Sequence, residues 1–261
     1  MEHATLIAYG NKFRYNEYGF DWLMLHEYGH EWWANLVTAS DWRDFWIHEG
    51  FQSFMDSLYL EHLGKKDAYF AAMKGRAKAT LNIQAVAPRE PTPAYQIYLL
   101  GPDYIKSNGD IYGKGAVVLH TLRYLIGDDA FFRSIRRMAY PTKEMETWTD
   151  GRQTRLVNTD DYLAIAEEES KMELDWFFEM YLRQPKLPTL KSEIVRAADG
   201  AIQKTLVLSW ETPNNLQFPM PIDVEVGGKT QRVEMKNGRV NVPFTGADPV
   251  VDPNGWVLKT Q

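Results

Sequence analysis

Cysteine is absent from the 261 residues. Disulfides and thiolate ligands are thereby excluded, so any metal must sit on His, Asp or Glu. The absence fits an oxidising or a reducing compartment and selects neither. Excess positive charge is missing too: 29 Lys and Arg stand against 35 Asp and Glu, a formal net charge of −6. That balance argues against nucleic acid as the main partner. No run of like charge is long enough to serve as a binding tail. No stretch approaches the roughly 18 apolar residues of a membrane span. Met1-Glu2-His3 shows no basic region followed by an apolar core, so no targeting signal is expected there. Internal repeats and low-complexity segments are also lacking.

What is present is an ordinary globular mixture, 44% hydrophobic and 25% charged. The length suits two modest domains or one large one. Aromatic residues reach 13%, a supply best used in a dense core. Thr5-Leu6-Ile7-Ala8-Tyr9 reads as a strand. From there to about residue 187 the patterning is mainly helical. One helix is expected from Asp21, its N-cap, to about Val37, and a second from near Glu49 to about His62, ending at Gly64. Further helices are expected over 66–81, 112–126, 128–139, 162–170 and 174–182. Residues 87–109 hold several Pro and Gly and read as a long loop. Past Pro185 and Pro188 the texture changes to short β-rich runs over 190–196, 204–210, 221–226, 231–235 and 239–244. Turn pairs such as Asp199-Gly200, Gly227-Gly228 and Asn237-Gly238 separate them. The expected class is α+β: a mainly helical domain, 1–187, followed by a small all-β sandwich, 188–261.

Chemistry enters at His26-Glu27-Tyr28-Gly29-His30, an HExxH pattern within a helical segment. Positions four apart share a helix face, so both imidazoles can meet one cation, while Glu27 beside them can reach a metal-bound water. Catalytic zinc needs three protein ligands and an open position. Glu49, after eighteen intervening residues and at the start of the next helix, is the candidate third ligand. Asp56 lies seven residues further on the same face and is placed to accept an N–H from a ligand imidazole.

These residues resemble the M1 family of zinc aminopeptidases. The resemblance is carried by His26 to Thr38 and by Trp46-Ile47-His48-Glu49-Gly50-Phe51, which follow the family's HExxH, eighteen residues, Glu pattern. Met1-Glu2-His3-Ala4 is similar to the end of the family's G-x-M-E-N motif, with His3 where Asn is commonest. Tyr112-Gly113-Lys114-Gly115 is similar to its Tyr-x-Lys-Gly segment. Trp176-Phe177-Phe178, Arg183-Gln184-Pro185 and Asp252-Pro253-Asn254-Gly255-Trp256 also look like family sequence. The resemblance implies a thermolysin-like gluzincin domain and one zinc per chain on His26, His30 and Glu49. It implies Glu27 as general base, Tyr112 as oxyanion stabiliser and Glu2 as anchor for the substrate's free α-ammonium. Peptides are the implied substrates.

Family members carry a large β domain and part of the catalytic β lobe before this point. The expectation is therefore a C-terminal part of a longer enzyme, with apolar surface around residues 4–9 left for a missing domain or for self-association. Two alternatives stand beside the aminopeptidase reading: an endopeptidase of the same zinc chemistry, and a non-catalytic binding module.

Overall fold

The computed structural model describes residues 3–93, 109–196 and 202–260. Seven α-helices are present among them: α1 (Trp22–Gly29), α2 (Trp46–His62), α3 (Lys66–Lys78), α4 (Gly113–Ile126), α5 (Asp128–Ala139), α6 (Thr159–Ser170) and the short α7 (Asp175–Phe178). The Asp21 carboxylate caps α1 by accepting from the Leu23 and Met24 N–H groups. Asn158 and Asp161 close a reciprocal capping box on α6, which starts at Thr159, three residues before the expected Tyr162.

The helix expected over 21–37 is shorter. Regular α-helix ends at Gly29, His30 keeps helical angles, and the chain leaves the helix at Trp33 (φ −97°, ψ 65°). The residues beyond it feed a short strand, β1 (Val37–Ala39). It pairs in parallel with β2 (Arg155–Val157), matching Val37 to Arg155 and Ala39 to Val157. Periodicity missed both strands because each is only three residues long. The expected strand at Thr5–Tyr9 is absent. Thr5 has φ 60° and its N–H donates to Glu31 at 2.9 Å, so the segment turns instead of extending. β-propensity forms a strand only where a neighbour accepts its ladder.

After the helical turn that closes at Arg183, six more strands follow: β3 (Thr189–Arg196), β4 (Lys204–Glu211), β5 (Ile222–Val226), β6 (Lys229–Val233), β7 (Arg239–Phe244) and β8 (Val250–Val251). They make two antiparallel three-stranded sheets, ordered β3-β4-β7 and β6-β5-β8. β6 starts two residues before its expected position because Val226 pairs directly with Lys229 across Gly227-Gly228. Both glycines have positive φ (55° and 77°), the requirement of a tight two-residue hairpin turn. The Asp199-Gly200 turn lies outside the described residues.

The interior runs without a break from helices to sheets. Leu206, Leu208 and Val242 of one sheet and Ile222 and Val224 of the other join the same buried cluster as Phe51, Phe54 and Leu119. Polar ties reinforce it. Arg232 donates to the Tyr124 and Leu125 carbonyls, both at 3.0 Å, at the end of α4. The His120 ring stacks on Trp256 with 4.5 Å between centroids. α4 is buried along most of its length and crosses α2 where Gly115 meets Gly50. Among the described residues no helix is long and apolar enough to cross a membrane.

Candidate metal centre

α1 presents His26 and Glu27, His30 follows at its C-cap, and Glu49 sits in the first turn of α2. The packing of α1 against α2 brings these residues together. His26 Nε2 and His30 Nε2 are 3.2 Å apart, and Glu49 Oε2 is 3.5 Å from each. All four residues are buried, Glu49 to 3% exposure and His30 to 1%.

The far ring nitrogens decide the tautomers. His26 Nδ1 faces Asp56 Oδ2 at 2.8 Å, and His30 Nδ1 faces the Trp33 carbonyl at 2.8 Å. Both partners accept, so each Nδ1 carries a hydrogen, and in the neutral rings each Nε2 then presents a lone pair. Two lone pairs and a carboxylate oxygen at these separations repel one another unless a positive charge lies between them. The titration tendencies express the same demand. Burial pulls His26 down, but the Asp56 and Glu49 carboxylates overcome it and raise it to about 10. Burial pushes Glu49 up, yet the two imidazoles bring it down to about 2. A divalent cation would satisfy all three donors at once, and two imidazoles with one carboxylate are a donor set that zinc accepts.

The supporting residues explain letters of the sequence that the pattern alone leaves open. Gln52 bridges the two helices, donating to Asp56 Oδ1 at 3.0 Å and more weakly to the Leu25 carbonyl at 3.4 Å. Its amide occupies the space that a Cβ on Gly29 would take, with Gln52 Oε1 only 2.0 Å from that position. A glycine inside the HExxH segment therefore lets Gln52 brace Asp56, and Asp56 hold His26. Sequence reasoning missed Gln52; the Gly29 position was its only trace. His48, beside Glu49, accepts from the Ala39 N–H at 2.9 Å, tying α2 to β1. Burial lowers it to about 4, so it is neutral.

Tyr112 immediately precedes α4, and the two residues after Gly113 fix its place. Lys114 is fully buried and donates to the Pro185 carbonyl at 2.8 Å. Gly115 lies against Gly50, the residue after Glu49. Tyr112, Glu27, His26, His30 and Glu49 line one cleft of about 530 Å³. Asp56, Ser53, Ser57 and Arg76 line it as well. Glu2 lies outside the described residues.

Two imidazoles and a carboxylate from successive helices could hold a single metal ion, and an acid and a phenol line the same cleft. The model of the peptidase family M1 domain matches residues 6–181, and the chain belongs to that family. Aminopeptidase N of Lactococcus lactis subsp. lactis is 27% identical over 90% of this chain and 29% of its own length. Endoplasmic reticulum aminopeptidase 1 of Mus musculus is 32% identical over 52% of the chain and 16% of its own. The chain thus spans less than a third of the relatives it matches. Among solved structures, Legionella pneumophila aminopeptidase A in complex with aspartic acid superposes with a TM-score of 0.65 at 18% identity. That likeness covers 88% of this chain and 25% of the other, and it is a likeness of fold.

Proposed function

We propose that this chain carries the catalytic centre of a zinc-dependent aminopeptidase acting on the N-terminal bond of peptides. The observation that carries the reading is the convergence of His26, His30 and Glu49, both imidazoles held by acceptors behind them, in the cleft that Glu27 and Tyr112 also line. Zinc held by the three would lower the pKa of a water and polarise the scissile carbonyl. Glu27 takes the proton of the attacking water and returns it to the leaving amine. The Tyr112 hydroxyl donates to the oxyanion that develops on the former carbonyl. Glu2 binds the substrate's α-ammonium and so sets the cut one residue from the end. We assign residues 1–187 to the catalytic unit and 188–261 to the β-sandwich behind it.

The test is hydrolysis of an aminoacyl arylamide by the chain and by any longer form that contains it. Activity should vanish with a chelator and return with zinc. An N-acetylated peptide should resist cleavage. Its cleavage at an internal bond would favour an endopeptidase, and absence of zinc binding would leave a binding module.

A further inference from the structure

Arg76 of α3 is the single Lys or Arg that lines the cleft among the described residues. Its surroundings differ from those of a structural arginine. Arg123, buried on α4, is fully engaged: it meets both Glu61 oxygens, at 2.6 and 3.3 Å, and both Asp128 oxygens, each at 2.8 Å. Arg76 makes one long hydrogen bond, from Nε to Ser57 Oγ at 3.3 Å. Its nearest carboxylate, Asp56, stands 3.9 Å away, beyond hydrogen-bond range. Asp56 is already committed, with one oxygen to His26 and the other to Gln52. The guanidinium is therefore three-quarters buried, oriented by Ser57, and without the bidentate acid that its planar fork is built to hold.

We propose that Arg76 is a specificity-determining residue that binds a carboxylate of the substrate within the cleft. The proposal rests on the peptidase reading of this site. Two substrate carboxylates come within range of a group that is separated from the ligand His26 only by Asp56. One is an acidic side chain on the first residue. The other is the free C-terminus of a very short peptide, since a residue spans roughly 3.5 Å. Serine hydroxyls of Ser53 and Ser57 in the same lining suit either.

The experiment compares kcat/KM of the zinc-loaded protein on a glutamyl and a glutaminyl arylamide, and on a dipeptide with a free and an amidated C-terminus. Wild type, Arg76→Gln and Arg76→Lys are measured side by side, with zinc affinity. One charged:neutral ratio should stand at about 10–100 in wild type, the span of a hydrogen bond to a charged group. It should fall towards one in Arg76→Gln, chiefly through KM, and recover in part in Arg76→Lys. The pair that responds identifies the carboxylate. Ratios near one in wild type overturn the proposal. So does an Arg76→Gln variant that loses zinc affinity and all turnover together, since Arg76 would then only brace Asp56. If no arylamide or dipeptide is cleaved, the peptidase reading fails separately. Calorimetry with glutarate then decides: binding that requires Arg76 supports the carboxylate site, and no binding refutes it.

Discussion

Gly115→Ala tests whether the distance between two helices sets the geometry of the site. A Cβ at position 115 would stand 2.9 Å from Gly50 Cα, with Trp46 closing the other side at 3.7 Å. The obstacle is backbone, so no side chain can swing away. Carbon atoms rest at about 3.5–4.0 Å, so α4 must move from α2 by roughly 0.6–1 Å. Overpacking of this kind costs about 1–3 kcal/mol, and alanine returns about 1 kcal/mol of helix propensity. The net loss of stability should thus be no more than about 2 kcal/mol. The catalytic loss should be larger in proportion. Glu49 precedes Gly50 on α2, and Tyr112 immediately precedes α4, so the displacement falls between the Glu49 carboxylate and the Tyr112 phenol. A misplacement of about 1 Å can cost a factor of about 100 in turnover. Gly50→Ala meets the Ile111 carbonyl at 3.0 Å and Gly115 Cα at 3.1 Å, a milder clash, and should lose less. Urea melts and steady-state kinetics on an aminoacyl arylamide give both numbers. A Gly115→Ala enzyme with kcat within threefold of wild type would refute the spacing argument.

Asp56→Asn removes the charge behind His26 and should weaken zinc binding by about 10–100-fold, read by competition with a chromogenic chelator. Tyr112→Phe should keep zinc and KM while lowering kcat by about 10²–10³, and Glu27→Gln should cost at least as much. A Tyr112→Phe variant at near-normal turnover would make Tyr112 a packing residue. Lys114 carries a stability signature: burial lowers it from 10.5 to about 8. Between those values the unfolded chain binds more protons than the folded one, so stability should rise with pH across that window, by at most about 3 kcal/mol. Below pH 8 the contribution is flat. Subtracting the urea midpoints of Lys114→Met from those of wild type at pH 7.5 and 10 isolates it, and a difference that does not grow with pH sinks the assignment.

Most helices past residue 40 and the longer strands past residue 188 were legible because their signals are local, while the short β2 and β8 were not. Thr159-Asp160-Asp161 announces a capped helix, though the cap itself is Asn158, and Gly227-Gly228 announces a tight hairpin whose neighbours must pair. The donor triad was legible for a different reason. A spacing of four on a helix fixes a shared face whatever surrounds it, so His26 and His30 needed no tertiary knowledge. Tertiary knowledge was needed where the reading failed. Thr5–Tyr9 has strand composition, but Thr5 is turned by a bond to Glu31, twenty-six residues away. The metal helix was drawn too long because Trp33 has helical propensity enough, while its carbonyl is claimed by the His30 ring.

The supporting residues were the least legible, and the physical reason lies in the glycines. Gly29, Gly50 and Gly115 carry no side chain to signal a purpose, and none of the three has a positive φ that would mark a turn. Their information is the volume they leave free. Gly29 makes room for the Gln52 amide, which holds Asp56, which holds His26. Gly50 and Gly115 remove the two Cβ atoms that would separate the helix bearing Glu49 from the one that begins after Tyr112. A pattern such as His-Glu-Gly or Lys-Gly therefore reads locally as a weak helix and globally as a contact. Only the partner across the interface tells which. In this fold, the residues suited to chemistry can be found by type, and the residues that set their distances can be found only by asking what a Cβ would meet.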